Sequence, residues 1–319
     1  RVCGMSVPLH YTLFRCKKDN AALFIMVHGL TSAGLTFHNV AARVANEANV
    51  HVVTLDLRGH GSSPDAPLLQ DYNLTRMSED IIKLLEVLQK ENVYDSQGPY
   101  SKVHLLGHSW GSRVAFALAA ARPDLVASLL IEDEYVGKSQ REVPGEDEVI
   151  KRASAMLKEY QPHFPSFEDA EAFFMRTTGP GVCDFSRKIL EEQVHSGNKD
   201  EDGNPIKRKQ FRVLFKPHVA HVWNYHCCVT TLGDEVWKNV SKFPMPIHVM
   251  KAGDPTESDI SAEVWETITN ESKALSETGV IRSTSEVAGA AHPIHRSHPD
   301  EFVAQTVEFL RRAQADTGP

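Results

Sequence analysis

The chain has no apolar run approaching the roughly 20 residues that span a bilayer, so no transmembrane segment is expected. It has no excess of positive charge: 34 Lys and Arg stand against 42 Asp and Glu, a net charge of −8. With no basic stripe interleaved with aromatics either, nucleic acid is not an expected partner. Cysteines are few, odd in number and scattered: Cys3, Cys16, Cys183, Cys227 and Cys228, with no CxxC pair. That argues against a disulfide framework and for reduced thiols in an intracellular compartment, cytoplasmic or mitochondrial. Cys227 and Cys228 lie near His221 and His226, but the spacing fits no zinc template, so core thiols and no metal are expected. "DLRGHGSSP" (56–64) is glycine-rich but lacks the lysine of a GxxxxGK[ST] phosphate loop, and reads as a tight loop after a strand. The chain opens at Arg1 without methionine, which is compatible with a targeting segment lost upstream.

What is present is an alternation of short apolar runs and helical patterns over 319 residues. That rhythm predicts an α/β fold, a mostly parallel sheet flanked by helices. "ALFIMVHGL" (22–30), "VHVVTLD" (50–56), "KVHLLGHS" (102–109), "VASLLIED" (126–133), "PIHVMKAGD" (246–254) and "IRSTSEVAG" (281–289) read as strands. Helices are expected over 37–49, 74–91, 112–122, 261–275 and 299–314. Between Asp133 and Pro246 the rhythm breaks. Helices are expected there at 146–160, 166–176 (opened by a capping box in "SFED") and 184–195, with a short hairpin over 202–217. Such an insertion between core strands reads as a largely helical cap. The division is a core in two parts, 1–135 and 241–319, and a cap over 136–240.

The stretch that points to chemistry is "VHLLGHSWGSRVAFALAAARP" (103–123). A serine between glycines at a strand-to-helix junction is the pattern of a nucleophile elbow. The tight turn lifts the hydroxyl of Ser109 out of the sheet and puts the Trp110 amide at a helix N-terminus, where it can donate to an oxyanion. A serine needs a base and an orienting acid downstream, in the order Ser, acid, His. Asp254, closing "VMKAGD", and His292, following "EVAGAA", occupy strand ends in that order. His295 and His298 compete with His292, and His295 also reads as a polar residue lining the cleft. The second oxyanion amide is expected from Leu30 in His28-Gly29-Leu30, with His28 holding that loop.

These motifs together resemble the α/β-hydrolase superfamily, from "VHGLTSAG" through "DLRGHGSSP", "GHSWGS", "AGD" and "GAAH" to the last helix. Within it, "YNLTRMSEDIIKLLE", "LLIEDEYVG", "DGNPIKRKQFRV" and "GAAHPIHRSHP" are similar to segments of YbfF-type bacterial esterases and their mitochondrial abhydrolase relatives. The resemblance implies an α/β-hydrolase fold with a cap, and a serine esterase acting without a cofactor on small ester or thioester substrates. It also opens an alternative for the acid, Asp133 in "IEDEY", beside Asp254 at the superfamily's usual place. Besides His28, Gly29, His108, Trp110 and His295, the cap aromatics Trp223 and Tyr225, with Phe173 and Phe174, are candidates to line a substrate pocket or simply to pack the cap. Trp110 stands where methionine is common, which brings acyl size into question. Carbon–carbon bond hydrolysis and a non-catalytic ligand receptor are the competing functions, because fold alone does not fix substrate. Activity is expected to rise through a histidine pKa normally near 6.5. Oligomeric state is not readable from the sequence.

Overall fold

The computed structural model describes residues 6–18, 21–30, 32–66, 71–94, 101–134, 163–164, 166, 168–169, 172, 190–199, 205–213, 243–276 and 282–316. Its main element is a seven-stranded sheet. The strands are β1 (Tyr11–Phe14), β2 (Leu23–Val27), β3 (His51–Leu55), β4 (Val103–His108), β5 (Val126–Glu132), β9 (Ile247–Ala252) and β10 (Arg282–Val287). They lie in the order β1-β3-β2-β4-β5-β9-β10. Only β1, an edge strand, runs antiparallel to its neighbour; the other pairs are parallel.

The strand sequences are apolar without alternation because both faces of the sheet are covered. In β2, Leu23, Ile25 and Val27 enter one core while Phe24 and Met26 enter the other. The first core packs on α2 (Leu74–Lys90), α3 (Trp110–Ala121) and α4 (Ala262–Ser276), through Ile81, Leu88, Val114, Leu118, Val264 and Ile268. The second packs on α1 (His38–Ala48) and the terminal helix α6 (Pro299–Asp316), through Val40, Val44, Phe302, Val307 and Leu310. Helix α1 buries Val40, Ala41, Val44, Ala45 and Ala48, the spacing of one helical face. It ends on Asn49 in the left-handed conformation, φ 54°. Helix α2 starts on Asn73, whose side chain accepts from the Arg76 amide.

The strands and helices expected in the core are all present, to within a few residues at their ends. The sequence reading missed β1, too short to show a period, and the four-residue helix α5 (Ile294–Ser297). Between β5 and β9 in the chain a separate three-stranded antiparallel sheet forms, in the order β6-β8-β7, from β6 (His163–Phe164), β7 (Leu190–Lys199) and β8 (Pro205–Val213). The helix expected over 184–195 is therefore corrected: from Leu190 onward the chain is strand, because β8 supplies a partner along most of its length. Ser166 does form the first half of a cap, its hydroxyl accepting from the Asp169 amide at 3.1 Å. The helix expected at 146–160 and the side chains of Phe173, Phe174, Trp223 and Tyr225 lie outside the described residues, as do Cys3, Cys183, Cys227, Cys228, His221 and His226.

The loop 56–64 closes as a tight turn, with Gly59 and Gly61 at positive φ. Arg58, fully buried, sends Nε and an Nη to the two oxygens of Asp80, each at 2.7 Å, and pins this loop to α2.

Candidate active site

In an open parallel sheet, loops at the carboxyl ends of the strands converge on one edge, where ligands bind. Here the ends of β2, β4, β5, β9 and β10 lead into His28–Leu30, Ser109, Asp133, Asp254–Asp259 and His292.

Ser109 sits between β4 and α3 at φ 51°, ψ −127°, a conformation an L-residue rarely adopts. The turn is held by the Ser109 amide donating to Glu132 O (2.9 Å) and the Ser112 amide donating to Ser109 O (2.8 Å). Glycine is required on both sides for contact reasons: a Cβ on Gly107 would strike the backbone of Ser112, and one on Gly111 the carbonyls of Val27 and His28. Four described non-glycine residues have positive φ. Asn49 caps α1 and Asn92 follows the end of α2; the other two are Ser109 and Asp133. Strain of that kind persists where surrounding contacts over-determine it, and it gathers at functional sites.

Asp133, completely buried at φ 46°, accepts four hydrogen bonds. One oxygen takes the Ala252 amide (2.9 Å) and the Ser258 hydroxyl (2.7 Å); the other takes the Asp259 amide (3.1 Å) and Nδ1–H of His292 (2.7 Å). The expected pairing of His292 with Asp254 is therefore not what the structure holds. The Asp254 carboxylate is spent on a turn, accepting from the Thr256 amide (2.9 Å) and hydroxyl (2.7 Å), and those bonds lower its pKa. That turn swings Ser258 and Asp259 back onto Asp133. The loop after β9 serves the acid of β5 instead of supplying its own.

His292 is partly exposed and its ring lies 4.8 Å from that of His108. Burial works against its charge, but the hydrogen bond to Asp133 and the fields of Asp259, Asp133 and Glu134 outweigh it and raise its pKa to about 9. Its Nε2 lies 3.3 Å from a carboxylate oxygen of Asp259. No hydrogen bond joins Ser109 Oγ to His292 in this structure. Glu134, whose own pKa is pushed up by burial, is paired with Arg113 at 2.9 Å.

The loop His28–Leu30 passes directly against the serine: a Cβ placed on Gly29 would lie 3.2 Å from Cβ of Ser109. Its backbone is fixed by buried histidines. His28 donates Nδ1–H to Gly29 O (2.7 Å) and accepts the Leu57 amide on Nε2 (3.0 Å). His60 Nε2 bonds to Leu30 O at 2.6 Å. Burial holds both rings neutral, at about 4 for His28 and about 3 for His60. Trp110 is packed into the core, its ring roughly parallel to that of His60 with centroids 6.3 Å apart. Among the candidate substrate contacts, His28, His108 and Trp110 are thus buried groups that shape the edge.

His295 departs furthest from expectation. It is fully buried, with Nδ1 bonded to both oxygens of Glu132 (2.8 and 3.0 Å), its amide donating to Glu132 (2.9 Å), and Nε2 against Thr36 Oγ1 (2.9 Å). It faces no cleft. His108, Glu132 and His295 place their donor atoms within 4.8 Å of one another, and two of the three already meet each other in the His295–Glu132 hydrogen bond. Sequence reasoning missed Glu132, Thr36, Ser258 and Asp259. A signal existed for the first: a glutamate closing the apolar run "SLLIE" has to find a buried partner.

Residues 24–305 match the model of the Alpha/beta hydrolase family. The chain belongs to this family. An sn-1-specific diacylglycerol lipase of Danio rerio is 33% identical over 127 residues, 40% of this chain and 36% of that protein. A Haemophilus influenzae protein assigned by name to the esterases and lipases is 24% identical over 309 residues, 95% of this chain and 88% of the relative. The first curated relatives are matched over only 36% to 48% of their own length. Among solved structures, a thermophilic esterase from Thermogutta terrifontis superposes with a TM-score of 0.65 at 17% identity, covering 97% of this chain and 94% of that one; the likeness is one of fold. Among the described residues, no helix of this α/β hydrolase is long and apolar enough to cross a membrane.

Proposed function

We propose that this α/β hydrolase is a serine esterase, cleaving carboxylic esters or thioesters of small to medium acyl groups through an acyl-enzyme on Ser109. The observation that carries the reading is the Asp133–His292 pair at 2.7 Å, set at the same sheet edge as a serine held in a strained elbow. Asp133, accepting Nδ1–H, fixes the tautomer that leaves the Nε2 lone pair to take a proton. Ser109 Oγ then attacks the ester carbonyl, giving its proton to Nε2. The amides of Leu30 and Trp110 hold the oxyanion, and His292 returns the proton to the leaving alcohol or thiol before activating water for deacylation. The names of the Danio rerio and Haemophilus influenzae relatives support this substrate class. Residues 136–240, inserted between paired strands β5 and β9, act as the cap over the acyl pocket, and no cofactor takes part.

A second reading, a ligand receptor on the same fold, draws on one observation: Ser109 Oγ makes no hydrogen bond to His292. A fluorophosphonate probe separates the two. The esterase reacts stoichiometrically and Ser109→Ala abolishes labelling; a receptor stays unlabelled and turns over no member of a panel of nitrophenyl esters of increasing chain length.

A further inference from the structure

His292 is held between two carboxylates. Asp133 takes Nδ1 from within the protein, and Asp259, on the loop after β9, approaches Nε2 to 3.3 Å. The two acids differ in access: the Asp133 side chain is wholly buried, that of Asp259 37% exposed. They are also tied together, because the Asp259 backbone amide donates to the same Asp133 oxygen that receives His292. The Asp259 side chain is therefore delivered to Nε2 by a backbone anchored on the acid of the pair.

Nε2 is the atom that must take the proton of Ser109. The charge of a carboxylate beside Nε2 favours the doubly protonated ring, and in that form the imidazole has no lone pair for the serine. Resting on the serine hydrolase reading above, we propose that Asp259 is a gating carboxylate that holds His292 Nε2 in the free enzyme and leaves it when substrate seats over Ser109. In this gate the Asp259 side chain is the part that leaves, while its backbone stays with Asp133. Until it leaves, Nε2 keeps its proton; once it has left, Nε2 gives that proton up to solvent and presents its lone pair to Ser109 Oγ–H. Other charged or titratable groups around the ring come from each neighbouring element. They are Asp133 and Glu134 at the end of β5, with Arg113 of α3 paired to Glu134, and His108 at the end of β4. From α5 come Arg296 and His295, the latter closed on Glu132. Asp259 is the carboxylate that approaches Nε2, at 3.3 Å.

The test is the pH profile of ester hydrolysis by the whole protein and by Asp259→Asn, with Asp259→Ser as a second variant that keeps the backbone amide and removes the carboxylate. In kcat/KM, which reports the free enzyme, the acid limb is expected to move down by about one pH unit or more. Activity below the limb then rises about tenfold, and the curves merge on the alkaline side. In kcat, where substrate has already displaced the carboxylate, the shift is expected to be much smaller. A limb unmoved in both variants, or a loss of rate uniform across pH, would overturn the gate. If the unsubstituted protein neither labels with fluorophosphonate nor turns over esters from about pH 6 to about pH 10, the serine hydrolase reading falls and takes the gate with it. Labelling with an unmoved limb removes the gate alone.

Discussion

Two histidine–carboxylate pairs stand side by side at the end of β5, built from neighbouring acids and from histidines three residues apart. Glu132 holds His295 and Asp133 holds His292, each through Nδ1 at 2.7 to 2.8 Å. Glu132 shares the sheet face of Leu130, so its pair is sealed beneath α1 and α6, where the ring of His295 meets Phe37 and Phe302. Asp133 turns out of the strand at positive φ, and its histidine reaches the edge. The Nε2 of His295 ends on Thr36, while that of His292 ends on an exposed carboxylate. Chemically similar pairs thus differ in access: the sealed pair fastens the histidine loop to the sheet, and the open one reaches the sheet edge.

The largest effect that sharpens this contrast is on turnover. Asp133→Asn is expected to lower kcat by about 10⁴-fold, as removal of the acid does in serine triads, while Asp254→Asn stays close to the unsubstituted rate. Steady-state assays of the two variants check it, and a reversal would return the acid to the loop after β9. Next in size is the sealed pair. Glu132→Ala leaves the buried His295 ring and amide without their hydrogen-bond acceptor and is expected to cost about 1–3 kcal/mol of stability by urea unfolding. A loss under about 1 kcal/mol would make the two pairs alike.

Stability against pH follows from buried histidine rings elsewhere in the core. His28, His104 and His248 are held at about 4 and His60 at about 3 by burial. The unfolded chain binds more protons at these sites, so stability is expected to fall as pH drops from about 6.5 to about 4. His292 acts in the opposite sense. Raised to about 9 by its carboxylates, it contributes stability that is complete below about pH 6.5 and gone once pH passes about 9. Melting temperatures across pH should show both slopes, and His292→Ala should flatten the alkaline one. The smallest expected effect is Thr36→Val, which removes one hydrogen bond from His295 and costs about 1 kcal/mol by the same unfolding assay, with turnover unchanged.

The legible part of the chain was its covered core. "LFIMV" and "VHVVTL" announce strands buried on both faces, and Gly107-His108-Ser109-Trp110-Gly111 announces the elbow, because a Cβ at either flanking position has no space. The acid was harder. Asp254 and Asp133 both close strands, and local pattern cannot show that one carboxylate will be consumed by Thr256 two residues on while the other collects four donors. His295 misled for a related reason: a polar residue in a polar loop gives no sign of a glutamate waiting across the core. Strand β7 misled through its long charged sequence, which took its conformation from pairing with β8.

By itself the sequence determined the order of the main core strands and helices and the serine turn, since these depend on steric and periodic rules acting over a few residues. Tertiary structure alone decided which aspartate serves His292, which histidine is sealed away, and that a second carboxylate reaches Nε2. The first two choices depend on distances between segments more than a hundred residues apart along the chain, set by the packing of β5 and the loop before α6, and the third on a loop whose backbone is anchored to Asp133.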